Sequence, residues 1–275
     1  MPPVAKTIIK KVTATSAIDA EDLLAAEEPL EIKLAYGPAN KRTQKSISVT
    51  MRTPGNDGEL ATGFLYTEGI ITSAADIVSF EYTGTNNENV VRLSLNDSVM
   101  PDTGKLERHF YTTSSCGVCG KASIEAVRIA CNIPDRPDSL RLPASLIYLL
   151  PDMLRKQQEV FENTGGLHAC ALFDTNGALL LSREDVGRHN ALDKLIGAAL
   201  IEDILPLDKH ILLLSGRASF ELIQKAVMAG IKIVAAVGAP SSLAAEMAEE
   251  WGMTLIGFLR GERFNIYSGA ERILV

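Results

Sequence analysis

Two cysteines three positions apart in a glycine-bearing stretch, Ser114-Ser115-Cys116-Gly117-Val118-Cys119-Gly120-Lys121, are the residues of this 275-residue chain best suited to covalent chemistry. That spacing lets two sulfurs approach each other, share one metal ion, or pass an adduct from one to the other. No acidic residue occurs between Arg108 and Ile124, whereas Arg108, His109 and Lys121 do. A free thiol with a pKa of about 8.5 is mostly protonated at neutral pH, and nearby cations increase its thiolate fraction. Ala122 to Ala130 reads as a short helix whose first amides add to that field.

His168-Ala169-Cys170 is a second candidate. On a strand, residues 168 and 170 share a face, so together with Cys116 and Cys119 they suit a metal; equally, Cys170 suits the core. No second Cys-x-x-Cys and no His-x-x-x-His completes a structural zinc site. A third feature is repetition: Arg183 to Asn190, Ser215-Gly216-Arg217 and Gly238-Ala239-Pro240-Ser241 each follow an apolar run and precede a helical one. Helix N-terminal amides beside an Arg fork hold phosphate, and ligands in open α/β sheets gather outside the strand carboxyl ends. Neither Gly-x-Gly-x-x-Gly nor Gly-x-x-x-x-Gly-Lys-Ser/Thr is present. Near the end, the stretch from Gly257 to Tyr267 combines Arg260 and Arg263 with Phe258 and Phe264, suited to ion pairing and stacking or to a plain terminal turn.

The elements that must position these groups fall into two halves. Thr7 to Val12 is strand-like, and the acidic run Asp19 to Glu28, without a clear period, is expected to be loose. Leu30 to Tyr36 and Ser46 to Arg52 alternate as an antiparallel pair around Gly37-Pro38-Ala39-Asn40. A helix capped by Asn56 or Asp57 runs to about Glu68, and strands follow at Ile77 to Tyr82 and Val90 to Leu95. Pro134 to Pro143 reads as a linker, and Leu146, Leu149, Leu150, Leu154 and Val160 mark a helix. Apolar runs at 169–173, 178–182, 211–214, 231–237 and 254–259, with helices near 187–200, 219–229 and 241–251, predict a largely parallel, helix-covered sheet opened by a hairpin at Asn176-Gly177. The expected division is an N-terminal α+β lobe over 1–107, the dithiol loop over 108–121, and a C-terminal α/β lobe over 122–275.

Hydrophobic residues make up 46% and charged residues 22% of the chain, the mixture of a soluble globular protein, and aromatics only 5%, which favours layered α/β packing. Acidic residues outnumber basic ones by 34 to 27, and a net charge of -7 argues against a nucleic-acid partner. No apolar run approaches the roughly 20 residues of a membrane span, and Met1-Pro2-Pro3 opens no signal core, so a cytoplasmic location is expected. Four cysteines are too few for a disulfide scaffold.

Taken together, Ser115 to Gly120, Thr164-Gly165-Gly166-Leu167-His168-Ala169-Cys170, Glu184 to Ala191 with Asp193-Lys194, Ser215-Gly216-Arg217 and Arg263 to Tyr267 resemble the formate dehydrogenase accessory sulfurtransferases of the FdhD type. The resemblance implies a sulfur carrier that accepts persulfide sulfur from a cysteine desulfurase. It hands that sulfur to the bis-molybdopterin guanine dinucleotide (molybdenum) cofactor before the cofactor enters formate dehydrogenase. It also implies a C-terminal mixed sheet flanked by helices, similar to cytidine deaminase. By position, Cys116 is implied to bear the persulfide, Cys119 to be its partner, and Phe258, Leu259, Arg260, Gly261, Glu262 and Arg263 to contact the cofactor, with no resident metal. The Arg-bearing loops extend the expected site to Arg188, His189, Ser215, Gly216 and Arg217, with GDP as a mimic of the ligand's nucleotide half. A pseudo-symmetric ligand suits a homodimer. Two rivals remain open: a non-catalytic molybdenum-cofactor chaperone, and a zinc-dependent deaminase-like enzyme. The second would need His-x-Glu followed by Pro-Cys-x-x-Cys, whereas here the thiol pair precedes His168 and Cys170 stands where the Glu would be.

Overall fold

The structure, a computed structural model, describes residues 2–82, 89–102, 139–156 and 164–275. The chain opens with an antiparallel hairpin of β1 (Val4–Val12) and β2 (Ala17–Ala25). The acidic run expected to be loose is therefore largely strand, because its carboxylates lie across from lysines: Lys6 reaches Glu21 at 2.8 Å and Lys10 faces Asp19 at 3.5 Å.

Next come β3 (Glu28–Tyr36), β4 (Thr43–Arg52), helix α1 (Asp57–Thr67), β5 (Ile77–Tyr82) and β6 (Val90–Leu95). The four strands form one sheet in the order β4-β3-β6-β5, with β3 and β4 antiparallel as their alternation predicts. Leu30, Ile32 and Leu34 point one way from β3, join Val91, Leu93 and Leu95 of β6, and are covered by Leu60, Ala61 and Leu65 of α1. The expected cap does not form as such: Asn56 occupies the N-cap in a left-handed conformation without a side-chain bond, and Asp57 instead receives both forks of buried Arg52 at 2.9 Å.

In the second half, β7 (Leu142–Pro143) leads into α2 (Ala144–Arg155), so the end of the expected linker is a short strand, paired with β14 (Ile273–Leu274). Then follow β8 (His168–Phe173), β9 (Leu179–Asp185), α3 (Arg188–Ile201), β10 (Ile211–Leu214), α4 (Phe220–Met228), β11 (Ile233–Ala236), α5 (Ser242–Glu250), β12 (Thr254–Arg260) and β13 (Arg263–Ser268). The six strands order as β13-β12-β11-β10-β8-β9. Only the β10–β11 and β11–β12 pairings are parallel, so the sheet is mixed rather than largely parallel: two tight hairpins flank a short parallel centre. Both faces are buried. Cys170, Leu172, Leu212, Leu214 and Val234 face α3, α4 and α5, while Ala171, Phe173, Ile211, Leu213 and Ile233 face α2.

The two sheets meet through α1 and α3. Leu200 of α3 enters the core of the first sheet, Tyr66 donates to the Met228 carbonyl at 3.0 Å, and Arg183 is forked onto Glu59. The expected boundaries near 107 and 121, Cys116, Cys119 and Cys131, the helix at 122–130, Val160 and most of the turn at 84–89 lie outside the described residues.

Candidate functional site

Strand direction decides which residues meet. β10, β11 and β12 run parallel, so Ser215, Val237 and Arg260 emerge at one edge of the sheet. β8 runs against β10, which brings its first residue, His168, to that same edge, and the pairing of His168 with Asp185 delivers the end of β9 and the start of α3 beside it. Loops far apart in sequence, from His168 to Arg260, thus converge where ligands gather in such sheets.

The loops are tied to one another by backbone. Ser215 donates its amide to the Ala169 carbonyl at 3.0 Å and accepts the Ala169 amide on its hydroxyl at 2.8 Å. Gly238 donates to the Gly216 carbonyl at 2.9 Å, and Phe258 donates to the Gly238 carbonyl at 3.0 Å. A side chain at 238 would place its first carbon 2.9 Å from the Gly216 carbonyl oxygen, so the close approach of these loops requires glycine there.

Above this floor lies a cleft of about 660 Å³. Arg155 and Asp152 of α2 stand on one side, Gly166 and His168 at the entry to β8, Ser215 and Gly216 on the floor, and Arg260 at the end of β12. A smaller hollow of about 360 Å³ adjoins it, lined by Phe258, Arg263, Phe264 and again Arg260. Phe258 is 44% exposed with a positive φ of 54°, which holds a bare aromatic face beside two guanidinium groups.

Apart from exposed Arg141, which donates to the Leu140 carbonyl at 2.7 Å, the described arginines divide in two. Arg42, Arg52, Arg92, Arg183 and Arg272 each pair with a carboxylate. Among the described residues, Arg155, Arg188, Arg217, Arg260 and Arg263, which line or flank the cleft and its neighbouring hollow, have no such partner. An acidic protein that leaves these guanidinium groups uncompensated around one sheet edge has built a local anion-attracting field. His168 registers it. Burial, then Arg188, then Arg217 lower its pKa from 6.5, against a smaller upward pull from Asp185.

Of the expected contacts, Ser215, Gly216, Leu259, Arg260 and Gly261 line the cleft, and Phe258 and Arg263 line the hollow. Glu262 is exposed at the tip of the β12–β13 turn. Arg188 and Arg217 flank His168 rather than line the cleft. His189 is elsewhere: only 4% exposed, its Nε2 lies 3.3 Å from the Ser219 hydroxyl and 3.6 Å from Glu221. Helical geometry turns it inward, whereas Arg188, one residue earlier, is only partly buried. Cys170 is enclosed in the core, and burial drives its thiol pKa far upward, so it offers neither nucleophile nor ligand. Among the described residues, no three His, Cys, Asp or Glu side chains are grouped to hold a metal. Arg155 and Asp152 were not legible as site residues, since α2 shows only an amphipathic pattern, and nothing local says that its last turn reaches the strand ends.

A chain titled a putative formate dehydrogenase accessory protein, from Desulfotalea psychrophila, superposes with a TM-score of 0.75 over 99% of this chain and 100% of its own, at 23% identity, and so shares the mixed α/β fold. A protein named Sulfur carrier protein FdhD from Streptomyces coelicolor is 52% identical over 92% of this chain and 89% of its own length. One of the same name from Sulfurisphaera tokodaii is 44% identical over 94% of each. The model of the FdhD/NarQ family matches residues 25–274, and with relatives at these identities over nearly the whole length, this chain belongs to that family.

Proposed function

We propose that this chain is a sulfur carrier serving formate dehydrogenase. Cys116, as thiolate, attacks the outer sulfur of a persulfide on a cysteine desulfurase. The donor's S–S bond breaks, the donor cysteine leaves as thiolate, and a persulfide remains on Cys116 with Cys119 as its partner thiol. The acceptor is the bis-molybdopterin guanine dinucleotide cofactor, here a substrate in transit. The name of the relatives supports the sulfur chemistry. The observation that carries the acceptor is the set of arginines without carboxylate partners around the cleft and its aromatic neighbour. Guanine nucleotides bring phosphates for the guanidinium groups and a ring for Phe258.

The reading places the protein in the cytoplasm as a homodimer, and treats the six-stranded sheet as cytidine-deaminase-like, which its hairpin followed by parallel strands supports. Among the described residues no helix is long and apolar enough to cross a membrane. The zinc-deaminase alternative needs a Glu two residues after the His, and the residue there is Cys170, enclosed in the core and unable to shuttle a proton into the cleft.

Incubation with a desulfurase and cysteine is expected to add reducible sulfur to the intact protein, seen by mass spectrometry, and Cys116→Ala to lose it. Equal loading of both proteins would leave the non-catalytic chaperone as the better account. Calorimetry is expected to show GDP binding that weakens in Arg260→Ala and Arg217→Ala; identical binding in both variants would remove the cleft from the acceptor site.

A further inference from the structure

Among the described residues, His168 is the one titratable side chain on the wall of the cleft that is neither an arginine nor a carboxylate. It is half-buried, and among the described residues it has no hydrogen-bond partner. Its Nδ1 packs against the backbone of Gly216, so close that a first side-chain carbon there would lie 3.1 Å away. Charged groups face it from each neighbouring element: Arg188 at the start of α3, Arg217 after β10, and Asp185 at the end of β9. Arg155, Asp152 and Arg260 share the cleft. The carboxylate of Asp185 is already engaged, by Lys194 at 2.7 Å and by the amides of Thr53 and Gly187 at 3.1 and 2.8 Å, so it holds its place rather than turning toward the imidazole. An imidazole in this setting feels two cations and opens onto the cleft.

We propose that His168 is a proton-linked contact of this cleft: neutral in the free protein, it takes up a proton as a phosphate-class anion settles between it and the flanking arginines. The inference rests on the cleft being the site for the nucleotide-bearing acceptor and adds a residue and a proton to it. The free-state bias toward the neutral ring comes from burial and the two guanidinium groups, whose field a bound anion reverses. Linkage fixes the sign. If binding raises the midpoint of His168, affinity is lowest above the bound-state midpoint, rises as pH falls, and levels off below the free-state midpoint. Each unit of rise corresponds to about tenfold in affinity across that window. A cargo charged at its phosphates would then be released more readily at higher pH, with His168 returning its proton to solvent.

The test uses the full chain, GDP as probe, and NMR of the histidine ring protons. The chain has four histidines, so His168→Gln identifies the signal. The expected result is a midpoint below 6.5 in the free protein that rises by about one unit or more with saturating GDP, and a GDP affinity in wild type that climbs as pH falls from 8 to 6 more steeply than in His168→Gln. The variant controls for titration of GDP itself. GDP binding by calorimetry with an unmoved His168 midpoint would overturn the proton linkage and leave the acceptor site standing. Absence of any GDP binding would overturn both.

Discussion

Gly63→Ala tests how the two sheets are joined. Gly63 of α1 and Gly197 of α3 face each other so closely that a first side-chain carbon at 63 would lie 1.9 Å from the Asp193 carbonyl oxygen, and one at 197 would lie 1.9 Å from the Glu59 carbonyl oxygen. The obstruction is backbone, which no rotamer change relieves. Reaching an ordinary contact of 3.4 Å requires the helices to part by about 1.5 Å. Overpacking of well-filled interiors costs up to ~3 kcal/mol, and separating two helix backbones belongs at that upper end. The gain in helix propensity from Gly to Ala returns ~1 kcal/mol, leaving a net loss of ~2 kcal/mol. Thermal unfolding should show it as a fall of ~4–8 °C in Tm for a chain of this size, with guanidinium unfolding as a second measure. Gly63→Ala with Gly197→Ala should lose less than the sum of the two, because the first substitution has already opened the contact. Gly63→Ala as stable as wild type, or more so, would refute the reasoning.

Two further outcomes follow from buried groups. Cys170 in native protein should resist alkylation under conditions that modify exposed thiols and react only in denaturant, as peptide mass spectrometry would show; rapid native labelling would contradict its enclosure. Lys225 bonds both carboxylate oxygens of Asp193 at 3.0 and 2.9 Å and the Thr67 hydroxyl at 3.0 Å; burial pulls its pKa down, but Asp193, then Glu221 and Glu68, outweigh that and raise it. Lys225→Met strands a buried carboxylate and should cost ~3–5 kcal/mol near neutral pH. That deficit should shrink toward pH 4, since Asp193 without its partner has a folded-state pKa above the unfolded value and its penalty accrues only as pH rises; a deficit flat with pH would argue against the pairing.

The period of apolar residues was enough to place most of the second-half elements within one to three residues, because both faces of the sheet are buried and each strand is a short continuous apolar run. The hairpin β1–β2 was only half legible: its second strand carries Asp19, Glu21 and Asp22, which read as a loose acidic run until paired with Lys6 and Lys10 from a different segment. The proportion of parallel pairings was misread because strand direction is a property of connections, and the β8–β9 and β12–β13 turns reverse the chain without any helix between. At the site, Ser215, Gly216 and Arg260 were legible as loop residues after strands, whereas Arg155 reaches them only because α2 covers the far face of the same sheet. His189 was placed with Arg188 by adjacency in sequence, although consecutive helical residues point about 100° apart.

That contrast gives the Glu184 to Asn190 motif a structural meaning. Asp185 is fully buried and accepts from the amides of Thr53 and Gly187, from Asn190 Nδ2 at 3.2 Å and from Lys194, which also donates to the Thr53 carbonyl at 2.8 Å. One carboxylate therefore ties the end of β4 to the start of α3, and the first residue of α3 is Arg188. Asp185→Asn keeps the shape but leaves Lys194 without a counter-charge and presents a donor where amides require an acceptor, for a cost of ~3–5 kcal/mol. Its effect should reach further than stability. At temperatures where the variant remains folded, GDP binding should weaken, because Arg188 loses its anchor, and the His168 midpoint should move, because a charge facing it is gone. Weakened stability with binding and His168 both unchanged would show that the motif holds the sheets together without positioning the site.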